Sequence, residues 1–234
     1  MFKTIAIENK NMANGQRNLS TGPLTNEEIE FVKKEIVRIG AGDDMDLFVF
    51  NDPDHIHNAK LGTGYNYVKD KIFITKNVFP ETQYGSTHPR DLMSVAAVLA
   101  HEYYGHRRYR DEYISDMKKS IADYQYHTTE VWKDECRASI DASKLAKNLT
   151  QQERSYLILD AIYRAKEYGQ YIVMDDYMKG VLYGYNEEGE KGIVPRLTPI
   201  RFVSKQDVER IERDREGDDS LSELQEDSED YLVR

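Results

Sequence analysis

Residues 92–100 are apolar at every position except Ser94 and run straight into His101-Glu102-Tyr103-Tyr104-Gly105-His106. A helix that is apolar on most sides has to be covered all round, so the chain must fold about this segment. The same helix then carries His101 and Glu102 from the core to a site at its carboxyl end. Its start is marked by Thr87-His88-Pro89-Arg90-Asp91, with a capping residue ahead of a proline in the first turn. Two imidazoles and a carboxylate at one helix end point to metal chemistry, but their spacing sets a problem. On a regular helix, residues five apart differ in direction by about 140°, too far for one small ion to bridge. Two local devices absorb the difference: a one-residue π-bulge, or an early helix end at Gly105 with a left-handed residue that swings His106 back. A third arrangement keeps the helix unbroken and uses Glu102 with His106, which are four apart, leaving His101 outside the metal's ligands.

A catalytic zinc site takes three protein ligands and an open position, so two histidines call for a partner. The helix predicted over residues 128–147 supplies Glu135. At about 100° per residue, Glu135 shares a face with Trp132, Ser139, Ala142 and Ala146, whereas Lys133, Arg137, Asp141 and Lys144 fall on the other side. A lone carboxylate facing a core is costly, and coordination to a cation offsets that cost. The Ala and Ser neighbours permit close approach of a second helix. Asp134 falls on the polar face and is the poorer candidate.

Around these segments the pattern is mixed. Thr25-Asn26-Glu27-Glu28 fits a capping box ahead of Ile29, Val32, Ile36 and Ile39, which repeat at helical spacing up to Gly40. Residues 46–51 are short and β-prone, and residues 65–68 and 71–75 flank Lys69-Asp70 as a hairpin, predicting a sheet of three or more strands. His55 and His57 lie on an intervening loop and read as solvated, with a second metal site the minor alternative. Thr150-Gln151-Gln152-Glu153 caps a further helix that ends before Gly169, and residues 175–182 add a short one.

Composition removes several classes of function. The formal net charge is -10, which opposes unaided binding to nucleic acid or to anionic membranes. Much of it sits in residues 205–234, with twelve acids against five bases. Cys136 is the single cysteine, so neither a disulfide framework nor a cysteine zinc site can form within the chain. No signal-peptide pattern or membrane-length apolar run is present, and the expected location is cytoplasmic, with a virion or a non-classical delivery route as the alternatives.

His101-Glu102 closing an apolar helix, followed about thirty residues later by Asp134-Glu135-Cys136-Arg137-Ala138-Ser139, resembles the zincin metallopeptidases, and the Glu points to their gluzincin branch. More narrowly, it resembles metallopeptidase modules of phage and prophage proteins. The resemblance implies an α+β, zincin-like fold: a small mixed sheet, an N-terminal helix, a buried active-site helix and further C-terminal helices. It divides the chain into an arm over 1–24, a metallopeptidase domain over 25–185 and an acidic extension over 186–234. It further implies one Zn2+ held by His101, His106 and Glu135, with Glu102 as general base, acting on a peptide or protein substrate. A strand within residues 65–75 would align that peptide, and Tyr109, Tyr113 or His127 would stabilise the oxyanion. The same residues are compatible with an inactive, metal-stabilised module of a phage assembly and with a toxin-like effector protease.

Overall fold

A computed structural model describes residues 22–57, 62–80, 88–115, 131–184, 197, 199–210 and 213. The expectations for the arm up to residue 21, for His127 and for most of the acidic stretch lie outside the described residues. The fold is α+β. Helix α1 (Asn26–Arg38) starts at the expected capping box, with Thr25 Oγ1 accepting from Glu28 N–H and the Glu28 carboxylate accepting from Thr25 N–H. It buries Val32 and Ile36 completely, each worth roughly 1.5–3 kcal/mol relative to exposure. A 3₁₀ stretch (Gly42–Leu47) leads into strand β1 (Phe48–Phe50).

The sheet is mixed and three-stranded, in the order β1-β3-β2. Strand β3 (Lys71–Ile74) is central and carries three consecutive buried residues, Ile72, Phe73 and Ile74, as a strand covered on both faces must. It pairs in parallel with β1 and antiparallel with β2 (Gly64–Asn66), in the register Tyr65↔Ile72. The predicted hairpin is therefore present, with Asp70 taking a positive φ of 50° in its turn. His55 and His57 lie on a short helix, α2 (Pro53–His57), not on a loop. The His55 ring stacks on Phe73 at 4.6 Å, and its Nε2 meets the Gly62 carbonyl at 2.8 Å, so this histidine has a packing role.

The predicted apolar helix is broken once. Helix α3 (Pro89–Leu92) ends at Met93, whose extended backbone leads to Ser94, and Ser94 caps a new helix α4 (Val95–Ala100) through Ala97 N–H. Every residue of α4 is buried. The lone polar residue of the run is thus the joint between two helices. Helix α5 (Val131–Leu145) and helix α6 (Gln151–Glu167), the latter with its own Thr150/Glu153 capping box, pack against each other and bury Cys136, Ile140, Ile158, Ala161 and Ala165. Strand β4 (Gln170–Ile172) and helix α7 (Asp176–Tyr183) follow. Strand β5 (Phe202–Ser204) pairs antiparallel with β4, and Phe202 packs edge-on against Trp132 at 4.9 Å. The boundary expected at residue 185 is therefore crossed by a strand pair and a core contact. Among the described residues, no helix is long and apolar enough to cross a membrane.

The polar side expected for α5 is also partly wrong. Asp141 and Lys144 are buried because other segments supply them with partners: Tyr109 Oη donates to Asp141 at 2.7 Å, and Lys144 Nζ donates to Asp175, at the start of α7, at 2.5 Å. Helical periodicity separates charged from apolar residues but does not reveal which charges find buried partners.

Candidate metal centre

The surplus residue between the histidines is absorbed by a π-helix over His101–His106, continuous with α4, in which Arg107 N–H bonds to the Glu102 carbonyl. In such a turn residues five apart stand one above the other, which brings the two rings to the same side. Of the two devices considered, the π turn is the one found; Gly105 is not among the glycines with positive φ. Its role is steric. A Cβ at Gly105 would stand 2.6 Å from Ala138 Cα, Cβ and O, so only glycine lets the π turn approach α5 this closely. The unbroken helix with His101 left aside is not observed.

His101 Nε2 and His106 Nε2 face each other at 2.9 Å, both rings buried. The opposite nitrogen of each ring is occupied. Ser139 Oγ donates to Asp160 Oδ2 at 2.6 Å and therefore accepts the Nδ1–H of His101 at 2.9 Å. Tyr67 Oη donates to Asp134 Oδ2 at 3.0 Å and accepts the Nδ1–H of His106 at 2.7 Å, with Asp134 Oδ2 itself 3.2 Å from that nitrogen. By this assignment both neutral rings aim an Nε2 lone pair at the same point. A proton or a metal ion between the nitrogens satisfies such a pair.

The carboxylates supply the charge. Glu135 Oε2 lies 3.4 Å from His101 Nε2, and Oε1 lies 3.5 Å from His106 Nε2, with Arg164 Nη1 3.1 Å from Oε2. Glu102, at the edge of burial, accepts from Tyr65 N–H through Oε2 at 2.8 Å. His101, Glu102 and His106 form a buried group whose ligand atoms all lie within 4.8 Å of one another, and this group could hold a metal ion. Glu135 is more exposed and stands outside this group, with a different oxygen near each ring nitrogen.

The electrostatics agree with this arrangement. Burial pulls the His106 pKa down, but the Asp134 hydrogen bond and the charges of Glu102, Glu135 and Asp134 outweigh it and push it up to about 9. Burial works against the Glu135 charge too, yet His101, His106 and Arg164 hold its carboxyl well below the usual range. Without metal, a proton on His106 thus fills the space between the rings. Zinc at Zn–N distances of about 2.05 Å with tetrahedral angles would spread the two nitrogens to roughly 3.3 Å, a shift of a few tenths of an ångström. The donor set therefore fits a small divalent ion, and both rings have the hydrogen-bonded rear nitrogen that metal-bound histidines require.

Three of these residues were not selected from sequence. Tyr67, Asp160 and Ser139 carry the rear support, and Asp134, set aside as a ligand, supports His106 from behind. Among the residues suggested for oxyanion stabilisation, Tyr109 is engaged by Asp141, and Tyr113 stacks on Tyr67 at 3.8 Å. The edge strand β2 does reach the site, but Tyr65 N–H is taken by Glu102 and Tyr67 C=O accepts from Arg110 Nε at 2.9 Å. A peptide pairing along this edge has to displace one of them. No family model, curated protein or solved structure matches the chain.

Proposed function

We propose that this chain is a zinc-dependent peptide or amide hydrolase of zincin type, with His101, His106 and Glu135 as metal ligands and Glu102 as general base. The observation that carries this reading is the pair of Nε2 atoms 2.9 Å apart, with a Glu135 oxygen within 3.5 Å of each. Bound zinc would supply polarisation of a carbonyl and a water acidified to a pKa of about 7. The chain supplies the rest. Tyr65 N–H fixes Glu102 through one oxygen and leaves the other to take a proton from water and return it to a leaving amine. Tyr67 and Asp134 keep the His106 Nε2 lone pair aimed inward, and Ser139 does the same for His101.

The burial of Glu102 within the histidine group favours a second reading. As a fourth donor it would close the set, and closed sets belong to structural metal sites. The chain would then be a metal-stabilised binding module, for instance of a phage assembly. Zinc content and cleavage of an unbiased peptide library separate the two. On the hydrolase reading Glu102→Gln retains zinc and loses cleavage, and His101→Ala loses both. On the structural reading Glu102→Gln sheds zinc, and the native chain cleaves nothing. Undiminished cleavage by both variants rules out the mechanism.

A further inference from the structure

We infer that Arg164 decides which metal ion the site accepts, by confining Glu135 to a single ligating oxygen. This rests on the metal-site reading above and adds a specificity-determining residue to it. Arg164 reaches in from α6 with only 18% of its side chain exposed. Its Nη1 lies 3.1 Å from Glu135 Oε2, and its Nε lies 2.9 Å from Oδ2 of the fully buried Asp160. Asp160 in turn takes the Ser139 hydroxyl that supports His101. One guanidinium therefore fixes the Glu135 carboxylate and, through a chain of three hydrogen bonds, the ring beside it.

Arginine keeps its charge at every accessible pH, and its planar fork fixes direction as well as distance. Oε2 of Glu135, 3.4 Å from His101 Nε2, is thus shared with a permanent cation, and Oε1, 3.5 Å from His106 Nε2, is the oxygen on which Arg164 does not compete. Two imidazoles and one carboxylate oxygen suit a four-coordinate ion such as Zn2+. Mn2+ and Mg2+, which favour six oxygen-rich positions, would gain most from a second Glu135 oxygen. A clamp of purely structural purpose would weaken every ion alike when loosened, whereas a coordination limit changes their ratio.

The test uses the full chain, titrated separately with Zn2+ and Mn2+ against a chelating indicator, in the native form and as Arg164→Lys and Arg164→Gln. Lysine keeps the charge and loses the fork. Near-ultraviolet circular dichroism reports whether each variant is folded. The expected result is a Zn2+-over-Mn2+ preference that narrows by about tenfold or more in Arg164→Lys, within the range by which residues supporting metal ligands change affinity. The Co2+-loaded native chain is expected to show the intense visible absorption of four-coordinate cobalt, weakened in the variant. A preference unchanged within about twofold in folded variants overturns the inference while leaving the metal site intact. A six-coordinate cobalt spectrum in the native chain overturns it without any variant. Native protein that takes up neither ion removes the metal-site reading and this inference together.

Discussion

Two buried polar clusters sit on opposite ends of α6, and they differ in whether protein atoms complete them. At the amino end, Glu153 accepts from Arg38 through both oxygens (2.6 and 3.0 Å), from Ser94 Oγ at 2.6 Å and from Thr150 N–H at 2.8 Å. That one carboxylate ties α1, α4 and α6 together with its acceptor capacity filled. Further along α6, Asp160 and Arg164 support the histidine cluster, where the two Nε2 atoms converge and Asp160 Oδ1 is buried with no hydrogen-bond partner among the described residues. Burying polar groups is costly unless they are satisfied, so a closed network is how a fold joins its helices. A network that closes only around a proton or a metal ion suits the site proposed above.

The contrast can be broken most forcefully at the rings. His106→Ala is expected to reduce zinc affinity about a thousandfold, ~4 kcal/mol, since each ligand carries a quarter or more of a typical structural zinc's binding energy. Glu153→Gln should leave that affinity unchanged in competition titrations. A comparable loss from Glu153→Gln would mean that the two clusters are one.

Alkaline pH sharpens the comparison next. The folded pKa of His106 is raised to about 9, so its contribution to the metal-free fold is complete below the unfolded value of roughly 6.5 and disappears as the pH rises through 9. This amounts to ~3 kcal/mol. Urea titrations from about pH 6 to about pH 9.5 should show the loss with chelator present, and saturating zinc should abolish it. His106→Gln should remove the slope. Glu153 has the opposite sign: its carboxyl is held below the usual range by Arg38, Ser94 and Thr150 against the burial that raises it. Its stabilisation is present above about pH 4.3 and is lost only as the pH falls through the lowered folded value.

Two smaller effects test the packing and the joint. Gly105→Ala pushes a methyl group into the α5 backbone at Ala138 and is expected to destabilise by about 1–3 kcal/mol, with a parallel loss of zinc affinity, measured by thermal melts with and without metal. Glu153→Gln removes one partner of a pair whose Arg38 is partly exposed, which limits the expected cost to about 1–2 kcal/mol, the same with and without zinc.

What the sequence revealed divides along the same line. Both capping boxes, the buried run before His101 and the hairpin about Lys69-Asp70 follow from local rules and are present. The π turn was one of two local solutions to the His101–His106 spacing, and helical periodicity put Glu135 on a face that meets the two histidines. Tyr67, Ser139 and Asp160 were hidden because their roles depend on partners 21 to 39 residues away. Nothing in the spacing of a single tyrosine or serine announces such a partner. The break at Ser94 was missed for a related reason. An apolar run with one serine reads as continuous helix until Glu153, 59 residues on, draws that hydroxyl out. Strands β4 and β5 are three residues each, too short for alternation to distinguish them from loop.

The π turn does more than align two rings. One additional residue within a helix advances everything downstream by about 100°. That phase lets Arg107 reach Asp44, Tyr109 reach Asp141 and Arg110 reach the Tyr67 carbonyl. Excising Tyr104 would restore an ordinary four-residue interval between the histidines, yet it would turn all three downstream contacts away from their partners. The insertion is thereby locked in by its surroundings, and the spacing of the site cannot drift independently of the helix that follows it.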